Sequence, residues 1–198
     1  MTASDRVARA RSLRSATEAV DLYRDWADEY DHDVFDVLGF TGTARVADLL
    51  AVHMPDRTAP VVDLGCGTGG AGARLAEHGF AVVDGVDISP EMLEVASRRG
   101  VYRHLSVADL NQPLQVAGAY AGSVSAGTFT GGHVGADAVA GIATVLAPGA
   151  VVAWVVAEPL WPAFHDAMRD CGFDVRQADL EPVRRDGPPE ARMVVAAR

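Results

Sequence analysis

Three carboxylates and one imidazole, each beside a glycine-rich or turn-forming stretch, are the residues of this 198-residue chain whose placing could do chemistry. Asp63-Leu64-Gly65-Cys66-Gly67-Thr68-Gly69-Gly70 joins a valine-rich run to a helical pattern. Glycine at such a junction lets the backbone turn sharply and come close to a ligand. Gly65, Gly67 and Gly70 satisfy G-x-G-x-x-G, and Asp87 follows Gly70 by 17 residues, which also fits a dinucleotide site. A nicotinamide oxidoreductase is therefore one reading. Two features weigh against it. Asp63, at the end of the first strand, would repel a pyrophosphate but suits a cationic amino-acid headgroup. Asp109, in Ala108-Asp109-Leu110 at the end of a third strand, can accept from an exocyclic adenine amine.

His133 follows a fourth strand, inside Ala126-Gly127-Thr128-Phe129-Thr130-Gly131-Gly132-His133-Val134-Gly135. A neutral imidazole there is suited to take a proton near pH 7, so His133 is the candidate general base. Contact with a substrate, without proton transfer, and packing in the loop are the other readings. Tyr23, Trp26 and Tyr30 offer rigid apolar walls with polar tips for a pocket, as do Thr128 in the glycine-rich stretch and Trp161 after a fifth strand. Tyr23 and Tyr30 also fit a core stripe, whereas Trp26 lies off it, which favours a pocket or lid role. Trp161 and Phe164 are open to a structural reading as well. His32, His53, His78, His104 and His165 have no metal-ligand spacing, and no metal is expected.

The elements that must position these groups are legible in the rhythm of the chain. Val20, Tyr23, Ala27, Tyr30 and Val34 recur at steps of three and four, predicting one amphipathic helix across that segment. A second runs from about Thr43 to Met54, ended by Pro55. PVVDLG, FAVVDGVDI, VYRHLSVADL, AYAGSVSAG and GAVVAWVVA then read as short strands separated by helix-length or loop stretches, the pattern of a parallel sheet with helices on both faces. Ser89-Pro90 opens one intervening helix and Gly100 closes it, while Val139, Ile142, Ala143 and Leu146 form the stripe of another, stopped at Pro148-Gly149. A helix around Phe164 to Met168 precedes FDVRQADLEPV and ARMVVAA, which are joined by a turn-rich loop and should pair antiparallel.

With these motifs in this order, the chain resembles class I S-adenosylmethionine-dependent methyltransferases over roughly residues 40 to 198. The resemblance implies an α/β, Rossmann-like fold: a seven-stranded, mostly parallel sheet with an antiparallel C-terminal strand, helices on both faces and an N-terminal helical cap. The closing hairpin is expected of that sheet and not of the common dinucleotide sheet. The resemblance also implies S-adenosylmethionine as cofactor and S-adenosylhomocysteine as product. Asp63, Gly65, Cys66, Gly67 and Gly69 would surround the methionine moiety. Asp87 would hold the ribose hydroxyls, Ile88 would lie on adenine, and Asp109 and Leu110 would meet its edge. Ala126 and Gly127 complete the cofactor set. The stretch around Ala126 to Gly135, together with the Tyr23 to Tyr30 helix and LGFTG at 38–42, is similar to the methyltransferase-like proteins named for the Williams-Beuren chromosomal region.

Composition bounds the rest. A chain with 49% hydrophobic and 22% charged residues is expected to form one domain, with a helical cap at 1–55 and a core at 56–198. Its 17 basic and 27 acidic side chains leave a net charge of -10, a field that repels phosphate backbones, so no nucleic-acid partner is expected. Arg6, Arg9, Arg11 and Arg14 read as a solvated helix face rather than a transit peptide. No apolar run approaches the ~20 residues that cross a bilayer. Cys66 and Cys171 are widely separated and suit a reduced, cytoplasmic setting. The expected substrate is a small molecule methylated at oxygen or nitrogen, with a protein acceptor or a noncatalytic cofactor-binding role as rivals. The expected state is a monomer or homodimer.

Overall fold

A computed structural model describes residues 1–114 and 119–198. The chain opens with helices α1 (Ala3–Ala10) and α2 (Ala16–Arg24), a π-helical turn (His32–Val37) and α3 (Gly42–His53). The alternating part follows: β1 (Val61–Leu64), α4 (Gly70–Glu77), β2 (Val83–Asp87), α5 (Pro90–Ser97), β3 (His104–Val107), β4 (Tyr120–Phe129), α6 (Ala138–Val145) and β5 (Leu146–Ala157). A short 3-10 turn leads to α7 (Trp161–Asp170), β6 (Asp174–Glu181) and β7 (Ala191–Ala197).

The seven strands lie in the order β3-β2-β1-β4-β5-β7-β6. β7 is antiparallel to both of its neighbours, while the β1, β2, β3, β4 and β5 pairings are parallel. The expected hairpin of β6 and β7 forms, with β7 inserted between β5 and β6. The period-2 alternation of side chains divides the strands between two cores. Val62, Leu64, Val152, Trp154 and Val156 join Ile142 of α6 and Phe164 and Met168 of α7 on one face. Val61, Ala153, Val155 and Met193 join Val46 and Leu50 of α3 and Leu75 of α4 on the other. α3, counted with the cap in the sequence reading, is thus a sheet-packing helix.

The chain winds outward from β1 through β2 to β3 and then returns to the other side of β1 as β4 and β5. A crevice opens beyond the carboxyl ends of β1 and β4, the place where such sheets bind ligands. Local sequence sets its rim. The Ser89 hydroxyl accepts from the Met92 N–H at the start of α5, with Pro90 in the first turn. Gly65, Gly67 and Gly69 have φ of +67°, +52° and +86°, a region that favours glycine.

The cap departs from the single helix the periodicity predicts. α2 ends at Arg24, a turn follows, and the chain resumes as the π-helical turn. The break carries Trp26 inward, where its indole N–H donates to Asp33 at 2.8 Å. Trp26 stands between Tyr23 and Tyr30, at ring distances of 6.1 and 4.8 Å, and is 2% exposed. It belongs to the cap's own core with Ala10, Leu13, Ala19, Leu22 and Val34, and not to a pocket or lid. Arg6 is also corrected: its guanidinium meets Asp33 at 2.6 Å and Glu29, so it ties α1 to the π-helical turn instead of facing solvent.

Candidate functional site

A cavity of about 490 Å³ occupies the crevice, within the range of small-molecule sites. Its floor comes from the strand ends and the loops after them: Gly65 and Gly67, Asp87 and Ile88, Ala108 to Asn111, Ala126 to Thr128, and Thr130 to Gly135. Its roof comes from the cap, through Leu13 to Ala16, Ala19, Tyr23 and Tyr30.

At one end the glycine loop is pinned to a carboxylate. Asp87 accepts from the Gly67 N–H at 2.8 Å with one oxygen and from the Ser89 N–H at 2.9 Å with the other. Burial pushes its pKa up, and the backbone donors of Ser89, Gly67 and Ile88 oppose that rise. A Cβ at Gly65 would run into the Thr128 side chain, so glycine is what brings the loop against β4. Asp109, two residues past β3, accepts from the Asn111 N–H at 2.9 Å and its amide at 3.1 Å. Leu110, 5% exposed, lies beside it.

Asp63 is differently placed from the expectation. Alternation along β1 turns it to the same face as Val61, beneath α4, and it is absent from the cavity wall. The Tyr102 hydroxyl donates to it at 2.7 Å, and the Gly72 backbone also holds it. A Cβ at Gly72 would collide with the Tyr102 phenol, so the glycine makes room for this bond. Burial pushes the Asp63 pKa up to about 7; the Tyr102 bond opposes the rise and the Asp87 charge adds to it. Asp63 therefore supports the loop from behind.

At the other end Tyr23 of the cap faces the loop after β4. The Tyr23 hydroxyl lies 2.6 Å from Nε2 of His133, whose Nδ1 is 3.0 Å from the Thr130 hydroxyl and 3.4 Å from the Gly131 carbonyl. Burial holds the His133 imidazole below its ordinary pKa, with the Gly131 carbonyl opposing, so it is neutral near pH 7. Asp31, next to Tyr30, accepts from the Thr68 hydroxyl at 2.5 Å and from Arg99 at 2.5 Å, and Arg99 also donates to the Thr68 carbonyl at 2.6 Å.

The comparisons with known proteins agree with this architecture. Residues 61–149 match the family model described as a methyltransferase domain. The chain is 34% identical over 151 residues to methyltransferase-like protein 27 of Homo sapiens, covering 74% of this chain and 61% of that protein. This part of the chain is thus methyltransferase-like in sequence, on a sheet of the class I, Rossmann-like order. A shorter match, 40% identical over 70 residues, is to the 18S rRNA (guanine-N(7))-methyltransferase of Bos taurus, covering 35% of this chain and 24% of that one. In fold the domain is similar to magnesium protoporphyrin IX methyltransferase from Synechocystis PCC 6803 with bound SAH, at a TM-score of 0.73 and 16% identity, over 93% of this chain and 100% of that one. The chain spans less than two thirds of both curated relatives' length.

Against the sequence reading, the domain brings Gly65, Gly67, Asp87, Ile88, Asp109, Leu110, Ala126, Gly127, Thr128, Tyr23, Tyr30 and His133 to one cavity. Asp63, Cys66, Gly69, Trp26 and Trp161 are not on its wall. Cys66 is buried beneath the loop, its N–H donating to the Val86 carbonyl at 2.9 Å and its thiol pushed up in pKa by burial. Gly69 packs toward α5, where a Cβ would meet Tyr102 at 2.9 Å. Trp161 lies tilted against His165 at 5.1 Å and covers the α6 and α7 core. Tyr102 and Asp31 escaped the sequence reading. Each acts through partners at least 37 residues away, on which local spacing is silent. Among the described residues no cluster of metal-ligating side chains occurs. No helix there is long and apolar enough to cross a membrane.

Proposed function

We propose that this domain transfers a methyl group from S-adenosylmethionine to an oxygen or nitrogen of a small molecule held under the cap. The observation that carries the reading is Asp87: a carboxylate on the cavity wall, locked by two backbone donors, with Ile88, Asp109 and Leu110 alongside. A carboxylate so fixed can accept from both hydroxyls of a ribose, with Ile88 against the base and Asp109 and Leu110 at its edge. Gly65, Gly67, Ala126 and Gly127 leave room for the amino-acid moiety, and Tyr30 covers it from the cap. The bound donor supplies an electrophilic methyl on a sulfonium. What remains for the protein is to orient a nucleophile against it, exclude water and accept a proton. Tyr23, Thr128 and His133 stand where the acceptor would lie.

Two observations support a small acceptor. The cap roofs part of the crevice, narrowing the approach that a protein chain or a structured RNA would need. The net charge of -10 opposes a polyphosphate partner. The ribosomal-RNA match favours an RNA acceptor as the second reading. The two free cysteines suit a cytoplasmic setting. The deciding experiment measures S-adenosylhomocysteine release from S-adenosylmethionine with phenols, with amines and with ribosomal RNA. Turnover with a phenol or amine is expected; turnover with RNA alone contradicts the proposal. Asp87→Ala should weaken S-adenosylhomocysteine binding at least ~10-fold, through loss of about 1.5 kcal/mol or more of charge-assisted hydrogen bonding. Unchanged affinity in that variant would remove the observation on which the reading stands.

A further inference from the structure

We propose that the group meeting the acceptor's proton is the hydroxyl of Tyr23, which passes a proton on to His133, so that the two form a relay across the join between cap and sheet. The inference rests on the small-molecule reading above and adds to it a catalytic residue supplied by the cap.

The geometry assigns the direction of the bond between them. The Gly131 carbonyl can only accept, and it faces Nδ1 of His133 at 3.4 Å. The Thr130 hydroxyl, 3.0 Å from the same nitrogen, has the Gly131 carbonyl at 3.5 Å as an acceptor for its own proton. The carbonyl places the imidazole proton on Nδ1, where the hydroxyl can also accept it, and a lone pair is left on Nε2. Nε2 is then the acceptor of the 2.6 Å bond, and Tyr23 is its donor. With that lone pair engaged, an acceptor cannot hand its proton to His133 directly unless the Tyr23 bond is first broken. It can hand it to the Tyr23 oxygen, whose remaining lone pair borders the cavity.

The surroundings favour passage over storage. The Tyr23 ring is held by Trp26, parallel at 6.1 Å, and by the edge of Tyr30 at 6.2 Å. Burial, with Tyr30 and Asp87 as the nearby titrating groups, pushes the Tyr23 phenol well above its ordinary pKa. A phenolate is therefore disfavoured, and the proton must leave Tyr23 as another arrives. His133 is neutral and its Nε2 faces the Tyr23 hydroxyl, although the same burial weakens it as a base. Arg14 is a further charged group on the same wall.

The acceptor O–H bond breaks and its proton goes to the Tyr23 oxygen, while the Tyr23 proton moves to Nε2 of His133. The acceptor oxygen's electron pair forms the new O–CH₃ bond. The old C–S bond pair stays on sulfur, which becomes a neutral thioether. His133 is left as an imidazolium and returns its proton to solvent.

The test combines a spectroscopic readout with turnover. Nitrogen-15 NMR of histidine-labelled protein, saturated with S-adenosylhomocysteine, should find Nδ1 of His133 protonated and Nε2 bare. In Tyr23→Phe the Nε2 resonance should shift as its hydrogen bond is lost. With phenol and catechol as acceptors, Tyr23→Phe and His133→Gln should each lower kcat about 100-fold or more, within the range of proton-transfer catalysis, with S-adenosylhomocysteine affinity unchanged. Retained kcat in Tyr23→Phe alongside loss in His133→Gln would make His133 the direct base and overturn the relay. Parallel loss of cofactor affinity would reduce the pair to a structural clasp and overturn it as well. If wild-type protein methylates neither phenol, the small-molecule hydroxyl reading fails and the relay with it. Should Tyr23→Phe not fold, the wild-type spectrum decides, since a protonated Nε2 contradicts the donor assignment.

Discussion

Two aspartates near the same loop are both buried and raised in pKa, and side-chain direction on the strand separates their roles. Asp87 sits at the end of β2 with backbone N–H donors on both oxygens. Asp63 points under α4, with its pKa raised to about 7 from 3.8. A carboxyl whose folded pKa is raised binds more protons in the folded than in the unfolded chain between those values. Its contribution to stability is full below pH 3.8 and is lost as the pH rises through about 7. Asp63→Asn keeps an acceptor for Tyr102 and cannot ionise. Its melting temperature should rise relative to wild type as the pH is taken from about 4 to about 8, read by calorimetry at several pH values. A constant offset across that window would place the buried charge elsewhere. Residue types around the glycine loop were readable from the sequence because both sequence order and strand ends constrain them. The direction of Asp63 was not, since a four-residue strand gives its period-2 face only once its neighbours are known.

At the scale of elements, the strands and their capped helices were legible because each announces itself locally. Ser89 with Pro90, Pro55 after α3, and the glycines at positive φ all work within a few residues. Ser89→Ala should cost about 1 kcal/mol of stability through the lost N-cap, measured by denaturant unfolding; a value near zero would mean that α5 is held by packing alone. The cap was read less well. Tyr23, Trp26 and Tyr30 looked like parts of one helix, but the indole bond to Asp33 and the Arg6 ion pair reward a break that periodicity cannot register. The cap's core draws on the rest of the domain through Phe40 and Ile88. Asp31 adds a polar link, binding Thr68 and Arg99 at the donor loop. Asp31→Ala should raise amide exchange in α1 and α2 while leaving α6 and α7 protected, in a hydrogen-exchange experiment. The loss in global stability should stay near about 1 kcal/mol, because Asp31 and Arg99 are partly solvated. Uniform exchange across the domain would deny the cap its independence.

At the scale of the whole molecule, a sheet that reverses its strand order beside β1 places every loop of the site at one edge. The cap then roofs part of that edge. The Asp87 end is assembled from consecutive strand tips, while the opposite end joins residues as distant as Tyr23 and His133. That difference explains why sequence order pointed to the donor before the acceptor. The central claim is that the Asp87 end of the cavity holds the adenosyl group of S-adenosylmethionine. Isothermal titration of the purified chain with S-adenosylhomocysteine tests it most directly. Saturable one-to-one binding that weakens at least ~10-fold in Asp87→Ala is the predicted result. Absence of binding to both S-adenosylhomocysteine and S-adenosylmethionine, or preferential binding of a nicotinamide dinucleotide, would contradict it.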